Sequence, residues 1–185
     1  WGLFFIVSSG IKEATLVNLI TTIAKLVPIL IFILLVAIAF NVKTFNLDFW
    51  GEGTELGSIF TQVKGTMLVT LWAFVGIEGA VVLSTRANKR SDVGKATVVG
   101  LVGVLVIYIL ISVLSLGVLN QEQLAGLQEP TMAYVLEAAI GPFGATLIMI
   151  GLIISLSGAL LGWTILASEI SYLVAKDGAF PKFFA

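Results

Sequence analysis

Residues 71–80 of this chain read Leu71-Trp72-Ala73-Phe74-Val75-Gly76-Ile77-Glu78-Gly79-Ala80, and they place a carboxylate inside an apolar run. That run extends from Gly65 to Thr85, which is long enough to cross a bilayer. A carboxylate at this depth costs about 3 kcal/mol on insertion scales. The two glycines beside Glu78 allow the backbone to leave helical geometry. Because such backbone must line a cavity or be buried in protein, the pattern indicates a broken helix at a small-solute site of a transporter.

The composition is that of an integral membrane protein. Of 185 residues, 58% are hydrophobic and only 11% are charged, whereas a soluble domain carries about 25% charged residues. The net charge of −1 gives no reason to expect a nucleic acid partner. The chain has no His and no Cys, and it shows no metal-ligand cluster, phosphate-binding loop or nucleophile–base pair. The sequence therefore predicts neither a metal nor a cofactor, and it does not favour an enzyme.

The apolar runs predict one all-α transmembrane domain over residues 1–185, because barrel strands would show short alternating segments instead. Helices are expected at about 14–40, 65–86 with a break near 76–79, 96–120 and 142–175, with a short outer-face helix at about 130–140. Residues 1–9 are expected to be the end of a further helix. The chain starts with Trp1 and stops in a connecting loop, as an interior piece of a longer protein would.

The distribution of basic residues predicts the orientation in the membrane. Loops 41–64 and 120–141 are mainly acidic, and they alternate with basic segments along the chain. The basic segments contain Arg86, Lys89, Arg90, Lys95, Lys176 and Lys182. Since short loops rich in Lys and Arg stay inside, loop 86–95 and the C-terminal end are expected to face the cytoplasm.

Three side chains at unusual depth each allow two interpretations. Glu78 is either a functional carboxylate at the break or a tether to a neighbouring helix. Trp72 either belongs to the interfacial aromatic belt or presents a ring to a cation. Lys25, about one-third of the way along its span, either extends to the interface or supplies a fixed ammonium that supports a broken helix. Spacing alone does not separate the alternatives for Lys25.

The last apolar run contains a stripe of small residues at intervals of four, three and four, formed by Gly151, Ser155, Gly158 and Gly162. These intervals place them on one helical face, where they allow another helix to approach closely. Trp163 directly follows the stripe and is expected near that contact. Glu169, close to the cytoplasmic end, is expected to be solvated and is given no role.

Four segments together resemble the amino acid–polyamine–organocation (APC) transporters, and in particular the bacterial basic amino acid antiporters of the arginine/ornithine type. The resemblance covers essentially the whole chain. The segments are Trp72-Ala73-Phe74-Val75-Gly76-Ile77-Glu78, Asn88-Lys89-Arg90-Ser91-Asp92-Val93-Gly94-Lys95-Ala96, Gly162-Trp163-Thr164 and Ala175-Lys176-Asp177-Gly178-Ala179-Phe180-Pro181.

The resemblance implies a LeuT-like fold of two inverted repeats, with this chain running from the end of the fourth helix to the loop after the eighth. It implies that Trp72 gates the substrate and that carbonyls around Trp72 and Val75 hold its α-amino group. Lys25 would occupy the place of a sodium ion, as a coupling residue. The candidate substrate-binding and gating residues are then Trp72, Phe74, Val75, Gly76, Ile77, Glu78 and Trp163.

The function implied by the resemblance is a secondary transporter of the bacterial inner membrane that exchanges cationic amino acids, such as arginine for ornithine, by alternating access. A proton-coupled amino acid symporter is the alternative. A channel is a weaker one, because a single acid replaces the expected ring of polar residues. The expected partners are a small-molecule amino acid and the lipid bilayer, with a homodimer left open.

Overall fold

The computed structural model describes residues 2–8, 11–46, 57–82, 84, 87 and 89–184, and the regular elements in these ranges are all helical. Short 3₁₀ turns lie at Trp72–Phe74 and Lys182–Phe184. The α-helices within these ranges are α1 (Gly2–Ser8), α2 (Ile11–Ala39), α3 (Val42–Phe45), α4 (Ile59–Leu71), α5 (Gly79–Val82), α6 (Arg90–Ser115), α7 (Gln121–Ala125), α8 (Thr131–Ile140) and α9 (Pro142–Lys176).

Three of the described helices are long and apolar enough to cross a membrane. They provide the segments Leu16–Ala39, Ser91–Ser115 and Pro142–Lys176. The protein is therefore an all-α integral membrane protein. The predicted span 65–86 forms no single helix, because α4 ends at Leu71 and regular α-helix resumes only at Gly79.

Three helices begin earlier than hydropathy predicts, and α2 does so by about three residues, at Ile11. α4 starts at Ile59 rather than Gly65, because Ser58 caps it by accepting a hydrogen bond from the backbone N–H of Thr61 at 3.3 Å. α6 starts at Arg90 rather than at residue 96. Hydropathy marks where apolar side chains begin, whereas backbone hydrogen bonding continues through a polar first turn.

α6 also ends earlier than predicted, at Ser115 instead of residue 120. The chain turns there, with the N–H of Gly117 bonded to the carbonyl of Leu114 at 3.0 Å. The ring of Phe40 lies against Gly117 where a side chain would stand, and the N–H of Asn41 donates to the Gly117 carbonyl at 2.9 Å. These contacts require glycine and end the helix.

A Schellman motif ends α9. Gly178 has a φ of +80° and donates to the carbonyl of Ala175 at 3.0 Å, while Ala179 donates to that of Val174 at 3.1 Å. The chain thus leaves the helix immediately after Lys176, next to basic residues predicted to face the cytoplasm.

Of the residues used to predict the orientation, Arg86 and the acidic Asp48, Glu52 and Glu55 lie outside the described residues.

The chain divides into two compact units. The first unit comprises Trp1–Pro28, Glu78–Val98 and Ile150–Ala185, and the second comprises Ile29–Ile77 and Val99–Met149. In the first unit, Leu161 and Ile165 of α9 are buried against Ile6, Val7 and Val17. In the second, side chains of α2, α8 and α9 form the buried core, namely Phe32, Val36, Ala133, Val135, Leu136 and Ile148.

Candidate functional site: the helix break and the contact between α2 and α9

The interruption of the helix is longer than predicted and begins at Trp72. A 3₁₀ turn covers Trp72–Phe74 and an irregular turn follows through Glu78. The N–H of Val75 donates to the Trp72 carbonyl at 3.3 Å. Gly76 has a φ of +105°, which lies in the region that a residue with a Cβ rarely adopts. Gly76 is therefore the residue that permits this backbone path.

The break affects the hydrogen bonding of one backbone carbonyl in particular, that of Val75. Among the described residues, the hydrogen bonds outside regular helices include none to the carbonyl of Val75, whose backbone is extended with ψ of 130°. An extended residue cannot present its carbonyl to the residue four positions later, as a helical residue does. A carbonyl of this kind can accept a hydrogen bond from a substrate ammonium group.

Four candidate residues of the second unit have exposed side chains. The ring of Trp72 is 77% exposed, and Phe74, Val75 and Ile77 are also exposed. Because these apolar groups are not packed into the core of their unit, their identity is not explained by folding of that core. They are available for contacts with a ligand or with other parts of a transporter.

Glu78 and Gly79 begin the second part of the broken helix, which belongs to the first unit. The carbonyl of Glu78 accepts a hydrogen bond from the N–H of Val82 at 3.4 Å. Gly79 is buried, and a Cβ at this position would lie 3.2 Å from Cδ2 of Leu166 on α9. The second glycine of the motif therefore serves close packing of α5 against α9, three residues beyond Trp163.

The stripe of small residues on α9 contacts α2, as its spacing predicts for a packing face. A Cβ at Gly151 would lie 2.6 Å from Cβ of Pro28, and a Cβ at Gly158 would lie 2.7 Å from Oγ1 of Thr21. At Gly162 the nearest atom would be Oδ1 of Asn18, at 3.4 Å. The contacts run antiparallel, and only residues without a Cβ fit at Gly151 and Gly158.

Lys25 lies between these contacts along α2. Thr21 and Pro28, which precede and follow Lys25 by one turn of helix, both touch the glycine stripe, and Lys25 itself is half-buried. Pro28 also has no N–H, so the carbonyl of Ala24 loses its usual helical partner beside Lys25. The half-buried position and the two flanking contacts place Lys25 at the helix contact rather than on the outer face of α2.

Trp163 follows the stripe but does not lie on it. One residue after Gly162, it is rotated by about 100° around α9, and its side chain is 49% exposed. The expectation that Trp163 points near the close contact stays a prediction. Gly162 faces α2, and the indole ring of Trp163 is about half exposed.

Comparison with known proteins identifies the family. The profile of the family described as "Amino acid permease" matches residues 1–185. The chain belongs to the amino acid permease family. No solved structure matches the chain. Among curated proteins, it is 53% identical over 184 residues to the arginine/ornithine antiporter of Pseudomonas aeruginosa, which covers 99% of this chain and 38% of that protein.

Further relatives of this permease chain carry a similar name. The arginine/agmatine antiporter of Chlamydia caviae is 49% identical over 190 residues, covering 100% of the chain and 39% of that protein. That of Chlamydia trachomatis serovar D is 50% identical over 187 residues, again covering 100% and 39%. The chain thus spans less than half the length of the curated relatives it matches.

The predicted site residues of this permease chain fall into two groups. Lys25, Glu78 and Trp163 belong to the first unit. The second unit contains Trp72, Phe74, Val75, Gly76 and Ile77. Their common role at one substrate site stays a prediction.

Sequence reasoning missed two features of the first unit. Asn18 and Thr21 on α2 face the α9 glycines, and their spacing with Lys25 and Pro28, at intervals of three, four and three, was the available signal. The expectation that Glu169 is solvated is wrong, since its side chain is only 3% exposed. The available signal there was helical phase, because Glu169 lies five turns after Gly151.

Proposed function

We propose that the protein is a secondary transporter that exchanges cationic amino acids across a membrane by alternating access, with arginine as one substrate. The helix break at residues 72–78 carries this proposal. Within seven residues it combines an exposed aromatic ring, a carbonyl without a helical partner and a carboxylate. A broken helix with these groups suits the recognition of an amino acid at mid-membrane.

Each group of the break matches one part of a cationic amino acid. The carbonyl of Val75 accepts hydrogen bonds from the α-ammonium group. The indole ring of Trp72 covers a cation by cation–π attraction, which is strongest for tryptophan, and acts as the gate. The carboxylate of Glu78 adds negative charge beside the break and acts with Trp72 in gating the substrate. Phe74, Gly76 and Ile77 shape the same segment.

The remaining candidates act from α2 and α9. Trp163, whose ring is 49% exposed, contributes a second aromatic surface to the substrate site. The ammonium of Lys25 takes the role of a coupling cation at the contact between α2 and α9. This supports the helix there without a bound sodium ion, because the positive charge is part of the chain.

The names of the relatives support exchange rather than chemistry on the substrate. The Pseudomonas aeruginosa protein is named an arginine/ornithine antiporter and the Chlamydia caviae protein an arginine/agmatine antiporter. We infer that this chain serves exchange of the same kind, in the bacterial inner membrane, with loop 86–95 in the cytoplasm, and that the protein is not an enzyme.

The test is counter-exchange in proteoliposomes, using protein expressed from the complete coding sequence. Uptake of labelled arginine is measured with ornithine, agmatine or buffer alone inside the vesicles. We expect strong stimulation by at least one internal amine, because an exchanger returns to the outside only with a substrate bound. The amine that stimulates identifies the counter-substrate.

Other outcomes would contradict the proposal. Equal uptake with and without internal substrate would indicate a symporter or a channel. Uptake that follows an imposed pH gradient into vesicles containing only buffer would identify the proton-coupled symporter. Flux that fails to saturate with arginine concentration would identify the channel.

A further inference from the structure

Glu169 is a buried carboxylate that the proposed transport cycle has not used. It lies on α9 and is 3% exposed. A carboxylate is seldom buried to this extent unless it is paired or hydrogen-bonded, because removal from water is costly. Accordingly, no buried side-chain nitrogen or oxygen among the described residues lacks a hydrogen-bond partner. The position of Glu169 along α9 indicates which neighbouring helix its carboxylate faces.

The helical phase of Glu169 places it on the face of α9 that contacts α2. Eighteen residues separate it from Gly151, and 18 residues make about five turns of an α-helix. It also follows Gly162 by seven residues, or about two turns. Glu169 therefore continues the stripe formed by Gly151, Ser155, Gly158 and Gly162 toward the C-terminal end of α9.

The observed contacts give the level on α2 that Glu169 reaches. Pro28 is opposite Gly151, Thr21 is opposite Gly158 and Asn18 is opposite Gly162. A step of seven residues from Gly151 to Gly158 on α9 thus corresponds to a step of seven in the opposite direction on α2. One further step of seven beyond the Gly162–Asn18 contact pairs Glu169 with Ile11, the residue at which α2 begins.

We propose that Glu169 is a positioning residue that accepts hydrogen bonds from the first-turn backbone N–H groups of α2 and thereby fixes the register of α2 against α9. The first four N–H groups of a helix have no partner within the helix. The N-terminal end also carries a partial positive charge that favours a carboxylate. The Glu169 carboxylate thus gains hydrogen-bond donors, and the first-turn N–H groups of α2 gain an acceptor.

The consequence for transport rests on the proposed function. α2 carries Lys25 and α9 carries Trp163, and their register determines how these two side chains are presented. Glu169 lies six residues beyond Trp163. Its loss lets the inner ends of the two helices slide or separate. We expect this to slow the conformational steps of exchange while leaving the groups proposed to bind the substrate in place.

The test compares Glu169→Leu and Glu169→Gln in reconstituted protein expressed from the complete coding sequence. Glu169→Leu should lower the maximal rate of arginine exchange about tenfold with KM within about twofold of wild type. Glu169→Gln should restore most of the rate, because the amide oxygen still accepts a hydrogen bond from a backbone N–H. Glu137→Leu, at an exposed carboxylate on α8, is the matched control and should exchange as wild type.

A second measurement reads the register without any substrate. Asn18→Cys with Gly162→Cys should form a disulfide in the membrane, tested in protein whose cysteines outside residues 1–185 are replaced by serine, since residues 1–185 contain none. Adding Glu169→Leu should reduce the yield of the cross-link, and Glu169→Gln should preserve it. An unchanged yield in Glu169→Leu would overturn the proposal.

The remaining outcomes separate the two proposals. The wild-type protein could fail to exchange while Glu169→Leu still reduces the yield of the cross-link. That result would contradict the proposed function but support the role of Glu169. Failure of Glu169→Gln in both assays, to the same degree as Glu169→Leu, would show that Glu169 pairs with a cation rather than with the end of α2. A raised KM at an unchanged rate would show that Glu169 acts on substrate binding.

Discussion

Trp72 is a large side chain with no packing role in its own unit. Its ring is 77% exposed, so truncation removes little buried area. We therefore expect Trp72→Ala to lower arginine exchange in proteoliposomes at least about tenfold, because the proposed function gives this ring its contacts with the substrate. The melting temperature in detergent, measured by thermal denaturation, should be unchanged.

The control for Trp72 is Phe60→Ala on the same segment. Phe60 lies in α4 and is also 77% exposed, but it lies three turns of helix before the break. Its truncation should leave exchange intact. Wild-type exchange by Trp72→Ala would show that the indole ring is not the gate.

Lys25 differs from the other described lysines by its place between two helix contacts. Replacing it with methionine keeps an unbranched stem and removes the charge. We expect Lys25→Met to insert in the membrane in normal amount and to lose exchange by about tenfold or more, because it removes the ammonium proposed to support the contact between α2 and α9. Initial rates and immunoblots of membranes measure both quantities.

Lys64→Met is the matched control for Lys25, since Lys64 is exposed on α4. It should exchange as wild type. If Lys25→Met also turned over normally, the lysine would be one that merely extends to the membrane interface, which is the alternative that the sequence left open.

At the scale of elements, the contact between α2 and α9 depends on glycine. A methyl group at Gly158 would lie 2.7 Å from Oγ1 and 2.8 Å from Cβ of Thr21. We expect Gly158→Ala to destabilise the protein by about 1–3 kcal/mol, the usual cost of overpacking. Gly100→Ala on α6 meets nothing within 4 Å and should not destabilise, because alanine has the better helix propensity.

Thermal denaturation in detergent measures this difference, and a second substitution attributes it to the contact. Thr21→Gly should recover stability in the Gly158→Ala background beyond what the two single changes predict by addition. Equal melting temperatures for Gly158→Ala and Gly100→Ala would show that the close approach of the two helices does not exist in the membrane.

The elements also show how far the sequence could be read. The helical class followed from long apolar runs, and a break near Gly76 followed from two glycines beside a carboxylate. The onset at Trp72 did not follow, because a 3₁₀ turn differs from an α-helix only in which carbonyl each N–H selects. The start of α4 was readable from Ser58, a favoured N-cap residue, had capping been weighed against hydropathy.

The site was predictable only in part, for the same reason. Residue types and resemblance indicated Trp72, Glu78, Trp163 and Lys25 as site residues. Hydropathy, however, gives only the depth of a residue along a helix and does not show which neighbouring helix its side chain faces. Glu169 was therefore assigned to solvent by its position near a helix end. We attribute its burial to the contact with α2 proposed above, a tertiary contact between segments far apart in sequence. The inverted-repeat arrangement stays a prediction.

At the scale of the whole molecule, the distribution of charge predicts the orientation in the membrane. The described basic residues near the predicted inner ends include Lys89, Arg90, Lys95, Lys176 and Lys182, whereas the predicted outer segments around α7 and α8 contain Glu122, Glu129 and Glu137. Retention of Lys and Arg on the cytoplasmic side predicts that the start of α6 lies inside and that α7 lies outside.

Single cysteines test this orientation, in protein whose cysteines outside residues 1–185 are replaced by serine, since residues 1–185 contain none. Asp92 near the start of α6 and Glu122 in α7 are both exposed. A membrane-impermeant maleimide should label Glu122→Cys in intact cells and Asp92→Cys only in inverted vesicles. Because an odd number of crossings must separate the two positions, labelling of both from the same side would contradict the predicted topology. Labelling of Asp92→Cys from outside and Glu122→Cys from inside would keep that topology but reverse the orientation, and the proposed cytoplasmic location of loop 86–95 would then be wrong.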